Sequence, residues 1–460
     1  VREGPLLRSC VTRREGLVSA VVARTTEQDK VRELQRTLYR AAKADPGRRF
    51  HALYDKVFRR DVLERAWESV RANRGAAGVD RFTITDVERY GVDRLLDELA
   101  VELRDGRYRP LAARRVFIPK PGRDERRPLS IPAVRDRIVQ AALKTVIEPI
   151  FEADMLGCSF GFRPRRSARD ALQVLIDGAW SGRRWMVETD IADCFEAIPH
   201  GRLIAAIEER IVDRQILKLL RAMLRAGVLH EGAVVRRVTG TPQGGVISPL
   251  LANIYLHRFD RCWQTREHGV LVRYADDLVA MCFTERQANS ALRALEDNLA
   301  GLGLSLKPSK TRIMHLREGG EGLDFLGFEH RWVRSRGPRS RHVAYLARWP
   351  SRNAMQHARD RIRELTVRDR LLLSVESIVR DLNQFLRGWA GYFRYGNSSP
   401  SFDAIQAHAI KRLALFVAKR HQRSRGYGWA AVAYRSPNRM GLIDITGAVV
   451  APRPNRDWHG

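Results

Sequence analysis

Two short apolar runs, Leu271-Val272-Arg273-Tyr274 and Leu278-Val279-Ala280-Met281-Cys282-Phe283, enclose Ala275-Asp276-Asp277. Short apolar runs around a tight polar break read as two strands joined by a turn. A further strand-like run, Trp185-Met186-Val187-Glu188-Thr189, delivers Asp190 at its exit. Neighbouring strand residues point to opposite faces, but in a tight turn both carboxylates of Asp276-Asp277 can reach one side. Three converging carboxylates repel one another unless cations neutralise them. Hard oxygen ligands of this kind imply Mg²⁺, bound jointly with substrate phosphates. Two such ions about 4 Å apart stabilise both the attacking and the leaving oxygen in phosphoryl transfer. A solvated turn accounts for a lone Asp-Asp pair. The flanking strands and the third carboxylate favour the metal reading.

Composition narrows the class of partner. The 460-residue chain carries 82 Lys and Arg against 53 Asp and Glu, a formal charge of +29. Self-repulsion on that scale opposes compaction unless a polyanion accepts it, and nucleic acid is the usual one. Apolar residues make up 44% of the chain, which excludes wholesale disorder and, at this length, predicts two to four packed units. No run approaches the roughly 20 apolar residues of a membrane span, so no membrane partner is expected. The cysteines Cys10, Cys158, Cys194, Cys262 and Cys282 form no CxxC pair. That pattern predicts neither a disulfide framework nor a cysteine zinc site, and it fits a cytoplasmic, reducing location, nucleoid-associated when DNA is bound. The first 30 residues are Arg-rich (Arg2, Arg8, Arg13, Arg14, Arg24), and their one apolar run, Gly16 to Ala23, is of about minimal length and charge-flanked, which argues against a secretory signal. They are expected to form a basic tail able to meet nucleic acid, with an organellar transit peptide as the compositional alternative.

Along the chain, residues 31–75 read as two helices, the second with Leu63, Ala66, Trp67 and Val70 at helical spacing. Turn chemistry spans Asn73-Arg74-Gly75-Ala76-Ala77-Gly78-Val79-Asp80. A Pro-punctuated basic segment from Tyr108 to Pro132 contains a short strand, Arg115-Val116-Phe117-Ile118. Helices are expected over 133–150, 167–179 and 201–226, and the chain turns predominantly helical beyond Pro350. There Leu382, Phe385, Leu386, Trp389, Tyr392 and Phe393 form one wide apolar stripe, assigned to a core.

The ordered blocks around these acidic residues resemble the bacterial group II intron-encoded proteins, reverse transcriptases with a maturase function. Leu63-x-x-Ala66-Trp67 with the Asn73–Asp80 turn resembles the family's N-terminal extension block. Ile118-Pro119-Lys120 with Arg127-Pro128-Leu129-Ser130-Ile131-Pro132 resembles the first fingers block, and Gly161-Phe162-Arg163-Pro164-x-x-Ser167 the second. Asp190-Ile191-Ala192-Asp193-Cys194-Phe195 resembles the first catalytic block, and Thr241-Pro242-Gln243-Gly244-Gly245-Val246 the template and nucleotide block. Leu302-Gly303-Leu304-x-Leu306, Lys310-Thr311 and Phe325-Leu326-Gly327-Phe328 resemble the last palm blocks. Leu386-Arg387-Gly388-Trp389-Ala390-x-Tyr392-Phe393 resembles the thumb, called domain X.

The resemblance implies an α+β right-hand polymerase with fingers, a palm built on an antiparallel sheet, a helical thumb, and basic N- and C-terminal extensions. The expected boundaries are a basic tail over 1–40, the extension block of the fingers over 41–100, fingers over 101–185 and palm over 186–345. The thumb or maturase domain X then covers 346–425, and a short DNA-binding tail 426–460. The implied reaction is RNA-templated addition of deoxynucleotides to a primer 3′-hydroxyl with two Mg²⁺, together with assistance to intron splicing and retrohoming. Asp190 and Asp276, with the carbonyl of Ile191, would hold the metals, Asp277 supporting them.

Lys120 and Arg127 would neutralise the triphosphate, with Arg126 as the alternative to Arg127. Gln243, Gly244 and the amides of Ile191 and Ala192 would contact the nucleotide, and Phe195 would crowd a ribose 2′-hydroxyl. Asp193 is expected to be solvated or to cap a helix. Arg163, Pro164, Lys310, Gly327 and Phe328 would meet the RNA template and its DNA primer. Arg331, Arg334, Arg336, Lys411, Arg412, Lys419 and Arg420 would meet phosphates of intron RNA or target DNA. No Cys or clustered His beyond residue 355 suggests an HNH endonuclease. Two other readings stay open: a domesticated relative in phage defence or CRISPR spacer acquisition, and an RNA-binding splicing cofactor with a vestigial polymerase.

Overall fold

The computed structural model describes residues 29–119, 126–235, 238–241, 244–335, 337, 341–434 and 439–454, without the side chains of 119 and 127. In chain order its strands are β1 (Ala113–Pro119), β2 (Arg126–Ile131), β3 (Trp185–Asp190), β4 (Val228–His230), β5 (Ala233–Val235) and β6 (Val270–Tyr274). They continue with β7 (Asp277–Cys282), β8 (Arg312–His315), β9 (Leu323–Phe325), β10 (Phe328–Arg334) and β11 (Ala344–Pro350). Three sheets result, in the orders β2-β1-β4-β5, β6-β7-β3-β8 and β11-β10-β9. All pairings in the second and third are antiparallel. Strand β2 was not foreseen, because Pro128 argues against a strand. It is tolerated because β2 lies at a sheet edge and needs no donor on its outer side.

The β6-β7-β3-β8 sheet is central because both of its faces are buried. Val187, Leu271, Leu278, Ala280 and Cys282 point into one core, while Met186, Val272, Val279, Met281 and Met314 point into another. This is the two-residue alternation of a pleated strand applied to continuous apolar runs. The first core is completed by helices over 29–44, Arg60–Ala72, Val92–Arg104, Val134–Glu152 and Ser248–Cys262. The second takes in Ala168–Trp180, Arg352–Leu365, Val375–Phe393 and Ser399–Arg420. One core therefore runs across the expected boundary at 345.

Helix starts follow local chemistry. Ser167 and Asp170 form a reciprocal capping box, and the side chains of Ser351 and Ser374 cap the next two helices of that core. In the predicted stripe Leu382, Leu386, Trp389 and Phe393 are buried, whereas Tyr392 is 42% exposed and its hydroxyl donates to the Leu326 carbonyl at 2.9 Å.

The segment after 426 differs from the expected tail. Val432, Leu442 and Ile445 are buried in the second core. Asn383 donates to the Gly441 carbonyl and accepts from the Ile443 amide, and Gln406 accepts from the Ile445 amide. Two buried polar side chains on the core-facing sides of these helices thus tie this backbone down. Among the described residues no helix is long and apolar enough to cross a membrane.

Candidate active site

Strand register assembles the acidic residues. Strand β3 pairs with β7 so that Asp190 lies directly opposite Asp277, and β6 pairs with β7 so that Tyr274 also faces Asp277. The hairpin loop is only Ala275-Asp276, with Ala275 at φ 60°. A positive φ at the first loop position matches strand twist, although glycine is the usual residue there. The Ile191 amide donates to the Asp276 carbonyl at 3.0 Å, the Ala192 amide to Ser305 at 2.8 Å and the Lys307 amide to Asp190 at 2.8 Å. The exit of β3 is therefore held between the acidic turn and residues 305–307. Both amides expected on the nucleotide are engaged by protein carbonyls.

The charge balance is unusual. Burial, then a hydrogen bond to Asp190 and the charges of Asp190 and Asp276, push the Asp277 carboxyl up to about 8. The Lys310 ammonium binds the same Asp190 carboxylate from a one-turn helix, Pro308–Lys310. Lys310, expected on template or primer, therefore serves as the counter-charge of the acidic group. The Thr311 hydroxyl fixes this turn by pairing with Thr189 at 2.7 Å. Asp276, half-buried in the turn, adds its charge to the surroundings of Asp277.

Carboxylates this crowded and this short of positive charge suit a hard divalent cation. Among the described residues no three potential ligand side chains already stand gathered as a metal cluster.

The glycine block abuts β2. Gly244 has φ 109°, and a Cβ there would come within 2.6 Å of the Ser130 carbonyl oxygen, so only glycine fits without displacing that strand. The Val246 amide donates to Gln140 at 2.8 Å. Arg127 is paired through β2 with Ile118 in β1. Its side chain, like Lys120, Gln243 and Arg336, lies outside the described residues, as do Cys10 and the N-terminal arginine cluster. Phe195 is half-buried in a short helix, Cys194–Ala197. Asp193 precedes it at φ 41°, exposed and without a capping side-chain bond.

Several expected nucleic-acid contacts are engaged within the protein. Arg163 is buried, with its guanidinium bonded to Glu152 and to the carbonyls of Met155, Leu156 and Ser159, which leaves no donor for a phosphate. Phe328 is core, packed with tilted rings against Tyr392 and Phe393. Gly327 accepts the Ser351 amide. Arg331 pairs with Glu329 and Arg334 with Glu318. Arg412 donates to Thr366, and Arg420 to the carbonyls of Leu371 and Leu373. Pro164, Lys411 and Lys419 are exposed.

One residue that organises the site, Arg273, belongs by sequence pattern simply to a strand. Arg273 is fully buried and forms a two-pronged pair with fully buried Asp260, at 2.8 and 2.6 Å. It also reaches Asn253, the Ser159 hydroxyl and the Ala275 carbonyl of the acidic turn. Asn253 in turn donates to Gly161, whose backbone packs so closely on Ala275 that a Cβ would lie 2.5 Å from its nitrogen. The signal was present: a lone Arg inside an apolar run needs a buried partner.

Two family models match the chain in succession. Residues 118–330 match the family described as reverse transcriptase (RNA-dependent DNA polymerase), and residues 355–434 match the group II intron maturase-specific domain. Protein YkfC of Escherichia coli is 35% identical over 349 residues, covering 66% of this chain and 89% of that protein. The group II intron-encoded protein LtrA of Lactococcus lactis is 37% identical over 212 residues, 46% of this chain. An uncharacterized 91 kDa protein in the cob intron of Schizosaccharomyces pombe is 27% identical over 434 residues. The matches span 35% of LtrA and 53% of the yeast protein. With a polymerase region, a maturase region and an acidic hairpin opposite Asp190, the chain belongs to the group II intron-encoded reverse transcriptases and maturases.

Proposed function

We propose that the central sheet is the palm of a right-hand polymerase, with the β2-β1-β4-β5 sheet and the helices before it as fingers. The helices beyond 352 are the thumb. The chain copies an RNA template by adding deoxynucleoside triphosphates to a primer 3′-hydroxyl, and its second region assists the folding of intron RNA for splicing and for insertion at target DNA. The observation that carries this reading is the strand register that sets Asp190 directly against Asp277 beside the acidic hairpin turn.

Asp190, Asp276 and Asp277 would hold Mg²⁺. Bound there, two ions would supply Lewis-acid stabilisation of the attacking and leaving oxygens. The chain's own contribution is placement. Arg273 anchors the acidic turn, Lys310 neutralises Asp190, Gly244 lets backbone approach the nucleotide beside β2, and Arg127 with Lys120 meets the triphosphate. Phe195 crowds the sugar.

Primer extension on poly(rA) with oligo(dT) tests the reading. Asp276→Ala with Asp277→Ala is expected to abolish DNA synthesis while leaving RNA affinity within about twofold, because the phosphate contacts that dominate affinity lie elsewhere. Undiminished extension by this double variant would defeat the assignment. No extension by the wild-type protein would favour a splicing cofactor that does not polymerise.

A further inference from the structure

Phe162 combines two features that ordinary packing does not explain. It is an aromatic residue at φ 59°, a left-handed backbone that bulky side chains avoid. Its ring is also 50% exposed, so burial does not offset the strain. The backbone on either side is pinned. Gly161 is wedged against Ala275 and accepts from Asn253 at 2.8 Å, while Arg163 is locked to Glu152. The strain thus aims a ring, and the ring meets Phe195 edge-to-face, with centroids 6.4 Å apart and planes at 74°. Phe195 stands five residues after Asp190. Its own helix is held by the Thr241 amide, which donates to the Phe195 carbonyl at 2.7 Å. The backbone of Phe195 is therefore fixed, and within the described residues Phe162 is the aromatic neighbour of its ring.

We infer that Phe162 is a positioning residue for sugar selection: its edge holds the Phe195 ring at the 2′ side of the incoming nucleotide. The strained Gly161-Phe162 peptide ties that ring to the same turn that carries Asp276. Deoxynucleotide selection is thereby coupled mechanically to the catalytic hairpin. This rests on the reading of Phe195 as the sugar gate.

The test compares incorporation of a deoxynucleotide and its ribonucleotide counterpart by wild type, Phe195→Val, Phe162→Gly, Phe162→Tyr and the Phe162→Gly/Phe195→Val double variant. Glycine suits the positive φ, so Phe162→Gly keeps the backbone while deleting the ring. An edge-to-face aromatic contact converts to roughly a 2- to 12-fold change in kcat/KM ratio. Phe162→Gly is expected to lower ribonucleotide exclusion by that factor, Phe162→Tyr to retain it, and the double variant to be no more permissive than Phe195→Val alone. If Phe195→Val relaxes exclusion and Phe162→Gly does not, the positioning role is overturned. If Phe195→Val itself leaves exclusion unchanged, the gate reading fails first. Equal loss in the Gly and Tyr variants would mean that the ring edge is not what matters.

Discussion

Arg273 holds the acidic turn from inside the protein, and its cost and benefit separate cleanly. The Arg273–Asp260 pair is wholly desolvated. Removing one partner from such a pair strands a buried charge, so Arg273→Met is expected to destabilise by about 3–5 kcal/mol, seen as a lower midpoint in urea unfolding. Replacing both partners by apolar residues is far milder for a buried pair. Arg273→Met with Asp260→Leu is therefore expected to recover most of the stability but not the activity, because the bond to the Ala275 carbonyl stays lost. Full polymerase activity in the double variant would refute the anchoring role. The same contrast explains what was readable here. Asp190, Asp276 and Asp277 announce themselves by charge beside apolar runs, whereas the partners of Arg273 lie 13, 20 and 114 residues away in the chain.

At the scale of elements, β10 carries a titratable core group. His330 is fully buried, and burial, then the nearby charge of Arg348, push its imidazole down to about 3. The folded protein keeps it neutral, while the unfolded chain takes up a proton near 6.5. Stability from this source is complete above about pH 6.5 and declines as pH falls toward 3, by up to about 1.4 kcal/mol per pH unit. In His330→Leu that acid limb is absent. The stability difference between wild type and variant is therefore expected to be constant above pH 6.5 and to shift in the variant's favour below it. Parallel pH profiles would contradict a neutral buried imidazole. Element types were mostly legible because apolar period follows burial. Strand β2 was hidden by Pro128, since edge placement is a property of the sheet rather than of the segment.

The whole molecule carries a charge of +29, and its tertiary contacts decide which cations remain available. Lys411 and Lys419 are exposed on one long helix, whereas Arg412 between them is bonded to Thr366. Lys411→Gln with Lys419→Gln is expected to flatten the log–log salt dependence of RNA affinity by up to roughly 1.4, since each lost contact on a single strand removes about 0.7. Arg412→Gln is expected to leave that slope unchanged and to lower stability instead. Filter binding across a salt series distinguishes them.

Charge sign, the acidic hairpin, the Gly-rich block and the order of the polymerase and maturase regions can all be read from the chain, because each depends on residue type and short spacing. Which carboxylate stands opposite Asp190, where Lys310 points and which arginines are already engaged depend on strand register and on contacts between distant segments. So does the joining of the C-terminal segment to the second core. Local pattern reports what a residue prefers; the partners available to satisfy it appear only when remote parts of the chain are packed together.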